Sequence, residues 1–427
     1  MKVLLLGASG FIGQRVAAAL EAAGHVVLRA GRGGPVRVDL ADVATDWPRL
    51  LRGVDVVVNA AGVFREQGGA AFTDVHALGP ARLFDACVAA GVARVVQLSA
   101  LGAAGGDDAA AAPAFLHTKH LADRHLLSLP LAATVLRPSL VFGPEGASTR
   151  WFLALAALPL VPLPGGGAQR IQPVHVDDVV AAIVAASHRD DVGGPDERRI
   201  DLVGRAPLTL RAYLESLRSQ LGLPAARAWA VPRPLVHLAA RAGERWPKAL
   251  PMLAGDSLRM LEAGSVGDAS ALTRLIGRAP RPVAAFVPAA LAPLLRRQAQ
   301  LDWALPMLRG TLAAVWIWTG IVSLGLHPVA DSLALLDRAG VPQSLALPAL
   351  WSAAALDLVF GALTLSPLPR RARLALWAAQ AALIAGYTLI ITLRLPEYWL
   401  HPYGPLTKNL PMLGVLWLLW SMDRARR

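Results

Sequence analysis

Val3-Leu4-Leu5-Leu6-Gly7-Ala8-Ser9-Gly10-Phe11-Ile12-Gly13 runs from an apolar tetrad into a glycine triplet, and Gln14-Arg15-Val16-Ala17-Ala18-Ala19-Leu20 follows with helical spacing. Four apolar residues in a row suit a strand buried on both faces of a parallel sheet. Gly24 stops the helix as a carboxyl-terminal cap. Strand, glycine turn and helix together are the context that a dinucleotide fingerprint needs. The chain must turn sharply, approach a pyrophosphate closely and aim helix-terminal N–H groups at it. Gly7, Ser9, Gly10, Phe11, Ile12 and Gly13 are therefore the first candidate cofactor-binding residues.

Outside this stretch, composition sets the bounds. At 427 residues the chain exceeds one core, so two or three domains are expected. Hydrophobic residues make up 55% and charged residues 17%, and the mean hydropathy is +0.46. That is too apolar for a purely soluble protein and points to membrane spans. Lys and Arg number 42 against 30 Asp and Glu, a net charge of +12. Such an excess suits a surface beside an anionic bilayer. No basic run is interleaved with aromatics, so nucleic acid is not the expected partner. The single cysteine, Cys87, excludes an intrachain disulfide and a cysteine metal site, in keeping with a reducing cytoplasm. Val3–Leu6 is too short for the apolar core of a signal peptide, so no cleaved leader is expected.

A second strand, His25-Val26-Val27-Leu28, is expected to end at Arg29, with Arg32 close behind. An acid at that point would accept hydrogen bonds from the ribose hydroxyls of NAD. Two guanidinium groups suit a 2′-phosphate instead, which favours NADP over NAD; otherwise they are two surface arginines. Asp39 lies where a third strand ends and would meet the adenine edge. Val54-Asp55-Val56-Val57-Val58-Asn59 closes on Ala60-Ala61-Gly62, small residues that let backbone lie against a cofactor. A helix is expected over roughly 71–90, and Arg94-Val95-Val96-Gln97-Leu98 then delivers Ser99 to the same sheet edge. Carboxyl ends of parallel strands are where ligands sit.

The ordered set Gly7–Gly13, Asn59–Gly62, Ser99, Lys119, Arg137-Pro138-Ser139-Leu140-Val141-Phe142-Gly143-Pro144 and Pro173-Val174-His175-Val176-Asp177-Asp178-Val179 resembles the extended and atypical short-chain dehydrogenase/reductases. It is most similar to the branch holding the NAD(P)H-binding accessory subunit of respiratory complex I. The resemblance covers about residues 1–300. It implies an α/β fold, a Rossmann-type doubly wound parallel sheet, with a small substrate region over about 140–300. Ser99 then matches the family's polarising serine, Lys119 its ribose-holding lysine, and Pro138 joins the cofactor-binding set. The family's catalytic tyrosine stands four residues before the lysine, and here that residue is Phe115. A phenyl ring has no proton to give, and losing a general acid typically costs about 10²–10⁴ in rate. The only tyrosines are Tyr213, Tyr387, Tyr398 and Tyr403, all far downstream. His117 faces away from Phe115 and Lys119 on a helix, and His120 sits off the Phe115 position. Whether the chain turns over at all is open on this reading.

Trp151–Pro164 is apolar and proline-broken, and reads as a buried helix of the substrate region. Asp177 or Asp178 is expected to cap the helix after His175; these three residues are not read as a metal site. Trp229, Trp246 and Phe286 either pack on the domain or dip into the bilayer surface.

From about Leu301 the pattern changes. Trp303–Leu326, Leu345–Ser366, Leu374–Leu395 and Leu406–Met422 are long apolar stretches, expected to form an all-α four-helix transmembrane bundle over 301–427. Arg296, Arg297, Arg370, Arg371, Arg373, Arg424, Arg426 and Arg427 gather on one side, against Arg338, Arg394 and Lys408 on the other. The positive-inside rule then places both termini in the cytoplasm of a bacterial-type inner membrane. Asp357-Leu358-Val359-Phe360-Gly361 and His401-Pro402-Tyr403-Gly404-Pro405-Leu406-Thr407-Lys408-Asn409 resemble the DoxX-like four-helix membrane family. That resemblance implies the architecture and a redox theme linked to quinones in some relatives. Asp357 sits at mid-membrane, where an acid costs about 2.5–3.5 kcal/mol on insertion scales. It is either ion-paired, with Arg309 the expected partner, or a proton or quinone site. His327, His401 and Lys408 are too scattered for a metal site. The whole reads as a membrane-anchored NAD(P)H-binding oxidoreductase acting on a quinone or lipid, or as a non-catalytic NADPH-binding sensor or assembly factor for a membrane protein partner.

Overall fold

Val3, Leu4, Leu5 and Leu6 are all buried, because β1 (Lys2–Leu6) runs through the middle of a sheet covered on both faces. The computed structural model describes residues 1–63, 72–103, 113–189, 197–238 and 255–425. The other strands of this sheet are β2 (Val26–Gly31), β3 (Val36–Arg37), β4 (Val56–Asn59), β5 (Arg94–Leu98), β6 (Ala132–Pro138) and an edge strand, Arg199–Leu202. Their spatial order is edge strand, β6, β5, β4, β1, β2, β3. Every pairing is parallel. Strand order reverses between β1 and β4, which opens a crevice at their carboxyl ends.

The period-2 alternation of β1 divides the core. Val3 and Leu5 join Val16 and Leu20 of α1 (Phe11–Ala22) on one face, with Val179 and Ile183 from the helix Val176–Ser187. Leu4 and Leu6 join Leu83, Phe84 and Leu126 on the other. A short helix α2 (Trp47–Leu50) is capped by Asp46, whose carboxylate accepts the Arg49 N–H. The helix expected over 71–90 has two parts: a wide π-helical turn, Asp74–Leu78, then α3 (Gly79–Ala89). Ala71 lies outside the described residues. Next come α4 (Ala114–Ser128), which carries Phe115 and Lys119, then α5 (Ala147–Ala157) and α6 (Val176–Ser187).

Three expectations change here. Strand β2 continues two residues past Arg29, to Gly31. The Trp151–Pro164 stretch is helical only to Ala157, because Leu160–Pro164 forms a strand parallel to Arg227–Val231. Pro159 and Pro162 cannot continue a helix, but an edge strand tolerates them. His175 rather than either aspartate caps α6, its Nδ1 accepting the Asp177 N–H at 3.2 Å. The aspartates anchor a later segment instead. Asp178, fully buried, pairs with Arg278 at 2.6 Å and accepts the Arg281 N–H, and Asp177 pairs with the Arg281 side chain. Phe286 is buried and Trp229 is exposed; Trp246 lies outside the described residues.

The chain divides into two compact units, Met1–Gln300 and Leu301–Arg427. Among the described residues, three helices are long and apolar enough to cross a membrane: Ala292–Leu326, Gln343–Leu365 and Arg370–Arg394. The fourth, Asn409–Ala425, has 17 residues and about 25 Å of rise, short of the hydrocarbon thickness. An additional helix, Val329–Arg338, lies between the first two. Gly320 and Gly361 let the first two spans approach closely: a Cβ on Gly320 would fall 2.9 Å from the Ala354 carbonyl oxygen. The side chain of Arg309 does not reach for Asp357. It pairs with Asp423 at 3.1 Å, where Arg373 and Trp377 also donate. Further along, Trp316 donates to Gln380, which donates to Thr364, both at 2.9 Å. Asp357 is buried, and its Oδ1 has no hydrogen-bond partner among the described residues.

Candidate functional site

The glycine turn is built by exclusion. Gly7 has φ +74°, a left-handed conformation, and a Cβ there would meet the Ala60 carbonyl oxygen at 2.6 Å. A Cβ on Gly13 would overlap the Gly7 carbonyl, and one on Gly10 would crowd it at 3.1 Å. The turn closes through Gly10 N–H to Gly7 O at 2.9 Å and hangs on β2 through Ala8 N–H to Ala30 O at 3.3 Å. Gly10 is the N-cap of α1 and supplies no side chain, which leaves the first N–H groups of a 12-residue helix for an anion. Ser9 is exposed at the turn, and its carbonyl accepts from Gln14 at 2.7 Å. Ile12 packs into the core. Phe11 lies against Gly143, which has no room for a Cβ beside the ring, and against Gly146, where a Cβ would be crowded at 3.2 Å. The Arg137–Pro144 segment thus meets the glycine turn. This cradle fits the pyrophosphate of a dinucleotide.

Around the neighbouring strand ends the polar groups are buried. Asn59 closes β4: its amide donates to Gln97 at 2.8 Å and its oxygen accepts the Ala61 N–H at 3.2 Å. Lys119 projects from α4 to the carbonyls of Leu98 at 3.1 Å and Ala61 at 3.3 Å. A Cβ on Gly62 would stand 3.4 Å from its Nζ. Burial pulls the lysine down to about 8, against the upward pull of Asp123. Ser99, just beyond β5, hydrogen-bonds the carboxyl of Asp123, one turn beyond Lys119 on α4. Burial pushes Asp123 up to about 6, opposed by Ser99, Lys119, Arg137 and Arg199. The Pro138 carbonyl accepts the Leu101 N–H at 2.9 Å, which ties β6 to the segment after Ser99.

Phe115 is buried in an aromatic corner, 5.2 Å edge-on from His76 and 6.1 Å from Phe72. His76 Nε2 accepts the Val63 N–H at 2.9 Å, which leaves the ring proton on Nδ1, 3.4 Å from Thr118. Burial and then the Lys119 charge hold this histidine down to about 3, so the ring is neutral. His117 is exposed and His120 half-buried.

The sheet edge therefore gathers Gly7–Gly13, Asn59–Gly62, Ser99 and Lys119. Two expected members point elsewhere. Arg29 turns back to α1, where Glu21 holds its guanidinium at 2.9 and 2.6 Å. Asp39 accepts the Ala41 N–H in a local turn. At the end of β2 it is Gly31 that faces the glycine turn, 3.8 Å from Ser9 Oγ as measured from a built Cβ, and the exposed Arg32 follows. His76 and Asp123 are site residues that spacing did not single out. Asp123 was findable as the next-turn neighbour of Lys119 on one helix face.

A glycine cradle at a topological switch point, a buried lysine and a strand-end serine define an NAD(P)-binding domain of the short-chain dehydrogenase/reductase type. The chain belongs to the NAD dependent epimerase/dehydratase family, whose model matches residues 3–200, and residues 313–417 match the DoxX-like family. It is 28% identical over 264 residues to NADH dehydrogenase (ubiquinone) 1 alpha subcomplex subunit 9, mitochondrial, of Arabidopsis thaliana. That match takes in 54% of this chain and 62% of the plant subunit, so the chain spans less than two thirds of that relative's length. It is 34% identical over 226 residues to the 3-diazoavenalumate denitrifying reductase of a Streptomyces species, covering 45% of this chain and 74% of that one. Among solved structures, gox2253 superposes with a TM-score of 0.53 at 22% identity, over 69% of this chain and 98% of that one; this likeness concerns the fold alone.

Proposed function

We propose that the chain is a membrane-anchored oxidoreductase that uses NADPH to reduce a membrane-soluble acceptor, a quinone or a lipid. One observation carries the reading: the cofactor cradle, Ser99 and Lys119 are assembled, Phe115 replaces the proton-giving tyrosine, and membrane-spanning helices follow in the same chain. When bound, the nicotinamide would supply a hydride. The protein's part is to seat the pyrophosphate on α1, hold the ribose with Lys119 and present Ser99 to the acceptor oxygen. A quinone suits a site without tyrosine, because its reduced oxygens are far less basic than an alkoxide and charge that develops on them during hydride transfer is met by a less elaborate proton donor than the tyrosine–lysine pair. Arg32, exposed after β2, is the group that favours a 2′-phosphate and hence NADP over NAD. The arginine asymmetry supports an inner-membrane protein with both termini cytoplasmic.

Phe115 also favours a second reading, in which NADPH is a sensing or structural ligand and the protein regulates or helps assemble a membrane partner. Anaerobic NADPH oxidation by the full chain with a short-chain water-soluble quinone separates the two. The oxidoreductase reading expects turnover, lost in Lys119→Ala. NADPH binding with no oxidation in the wild type decides for the sensor.

A further inference from the structure

Asp123 stands out among the buried acids. It lies on α4 one turn beyond Lys119 and is 2% exposed. One oxygen, Oδ2, meets the Ser99 hydroxyl, which donates to it when Asp123 is ionised and accepts from it when Asp123 is the neutral acid; the other has no partner among the described residues. No cation sits within ion-pairing distance of it among the described residues. Lys119 spends its ammonium on the carbonyls of Leu98 and Ala61, and Arg137 pairs with Asp201 at 2.7 Å. The charged groups acting on Asp123 are Lys119 on its own helix, Arg137 on β6 and Arg199 on the edge strand. A carboxyl so placed is stable as the neutral acid, since an unpaired buried carboxylate is heavily penalised.

Resting on the oxidoreductase reading, we propose that Ser99 and Asp123 form a proton relay that replaces the missing tyrosine. In the reaction the acceptor gains a hydride from the cofactor, and its oxygen gains negative charge. Ser99 gives its hydroxyl proton to that oxygen, and Asp123 gives its own proton to Ser99. The O–H bond of Ser99 is remade, Asp123 is left as a carboxylate, and Lys119, Arg137 and Arg199 stabilise the new charge. One proton from water restores the acid, so each turnover consumes one hydride and one proton. Ser99 touches the acceptor and is catalytic; Asp123 acts through it. Asp123 is held near 6, which keeps a useful fraction protonated around neutral pH and supports the same assignment.

The test is the pH profile of NADPH oxidation by the full chain in lipid nanodiscs, with a short-chain quinone as acceptor. For the wild type, kcat should fall about tenfold per pH unit above the acid's midpoint near 6. Asp123→Asn, which keeps the shape but holds no acidic proton, should lower kcat about 10²–10⁴-fold and flatten that limb, with KM nearly unchanged. Ser99→Ala should do the same, and Asp123→Glu should restore the limb in part. Calorimetric NADPH binding equal to wild type shows that each variant is folded. Turnover with a wild-type pH profile in Asp123→Asn overturns the relay and leaves the oxidoreductase reading standing. No turnover by the wild type overturns that reading and the relay with it.

Discussion

Lys119 is the residue on which the proposed ribose contact and stability meet. It is a buried cation held by two carbonyls, with a folded value of about 8 against 10.5 for an unperturbed lysine. Between those values the unfolded chain still binds the proton that the folded chain has released, so stability should rise with pH from 8 to 10.5. Lys119→Met should abolish that slope and stabilise the cofactor-free protein at pH 7 by about 1–3 kcal/mol, while weakening NADPH binding. Thermal unfolding across this pH range, beside calorimetry, checks both; a destabilised Lys119→Met with normal NADPH binding would contradict the assignment. At the β2 end, Arg32→Ala should weaken NADPH but not NADH by about tenfold, the worth of a charged hydrogen bond. Arg29→Ala should leave the preference unchanged, because Glu21 already holds that guanidinium. Equal effects on both cofactors by titration would sink the choice of Arg32. Sequence marked Phe115, Ser99 and Lys119 because they fall in an ordered motif. It could not show which way Arg29 points, since a nearby carboxylate on α1 decides that. His76 was invisible for a similar reason: a wide π-helical turn, which leaves no mark in apolar spacing, brings it against Phe115.

At the scale of elements, the glycine turn is set by backbone contact. Gly13→Ala would drive a methyl into the Gly7 carbonyl, so a loss of about 3 kcal/mol or more is expected, together with loss of dinucleotide binding. Circular dichroism melting and calorimetry measure the two; a stable, binding Gly13→Ala would show that the turn is not closed as described. The β1 strand was legible because burial on both faces leaves a continuous apolar run, and β5, marked by Val95-Val96 and Leu98, spans Arg94–Leu98 as read. Leu160–Pro164 was not legible as a strand, since its partner Arg227–Val231 lies more than sixty residues away and five residues carry no helical or strand period of their own. In the membrane unit, Asp423, at the end of its helix, is the acid that gathers Arg309, Arg373 and Trp377. Asp423→Asn would leave Arg309 and Arg373 facing a neutral amide, at a cost of about 3–5 kcal/mol. A melting temperature in detergent equal to wild type would contradict that network. Hydropathy announced the long spans, while the choice of Asp423 over Asp357 as the partner of Arg309 rests on how the helices pack.

At the scale of the whole molecule, two units of different solvent are carried by one chain. The sheet of the first unit buries apolar residues between helices, and the second unit exposes Trp318, Leu326, Leu365, Leu393 and Trp417 on its outside, as a bundle facing lipid does. The proposed orientation, with both termini cytoplasmic, rests on the arginine count. Reporter fusions within 370–373 and after Arg427 should read as cytoplasmic, and one near His401 as external; an external carboxyl terminus would overturn the orientation. The central claim is that this cofactor site serves an acceptor resident in the bilayer. Its most direct test is anaerobic NADPH oxidation by the full chain in nanodiscs doped with a long-chain quinone, beside quinone-free nanodiscs. Oxidation that depends on the doped quinone and is lost in Lys119→Ala is the predicted result. Equal rates in doped and quinone-free nanodiscs, or none in either, would contradict it.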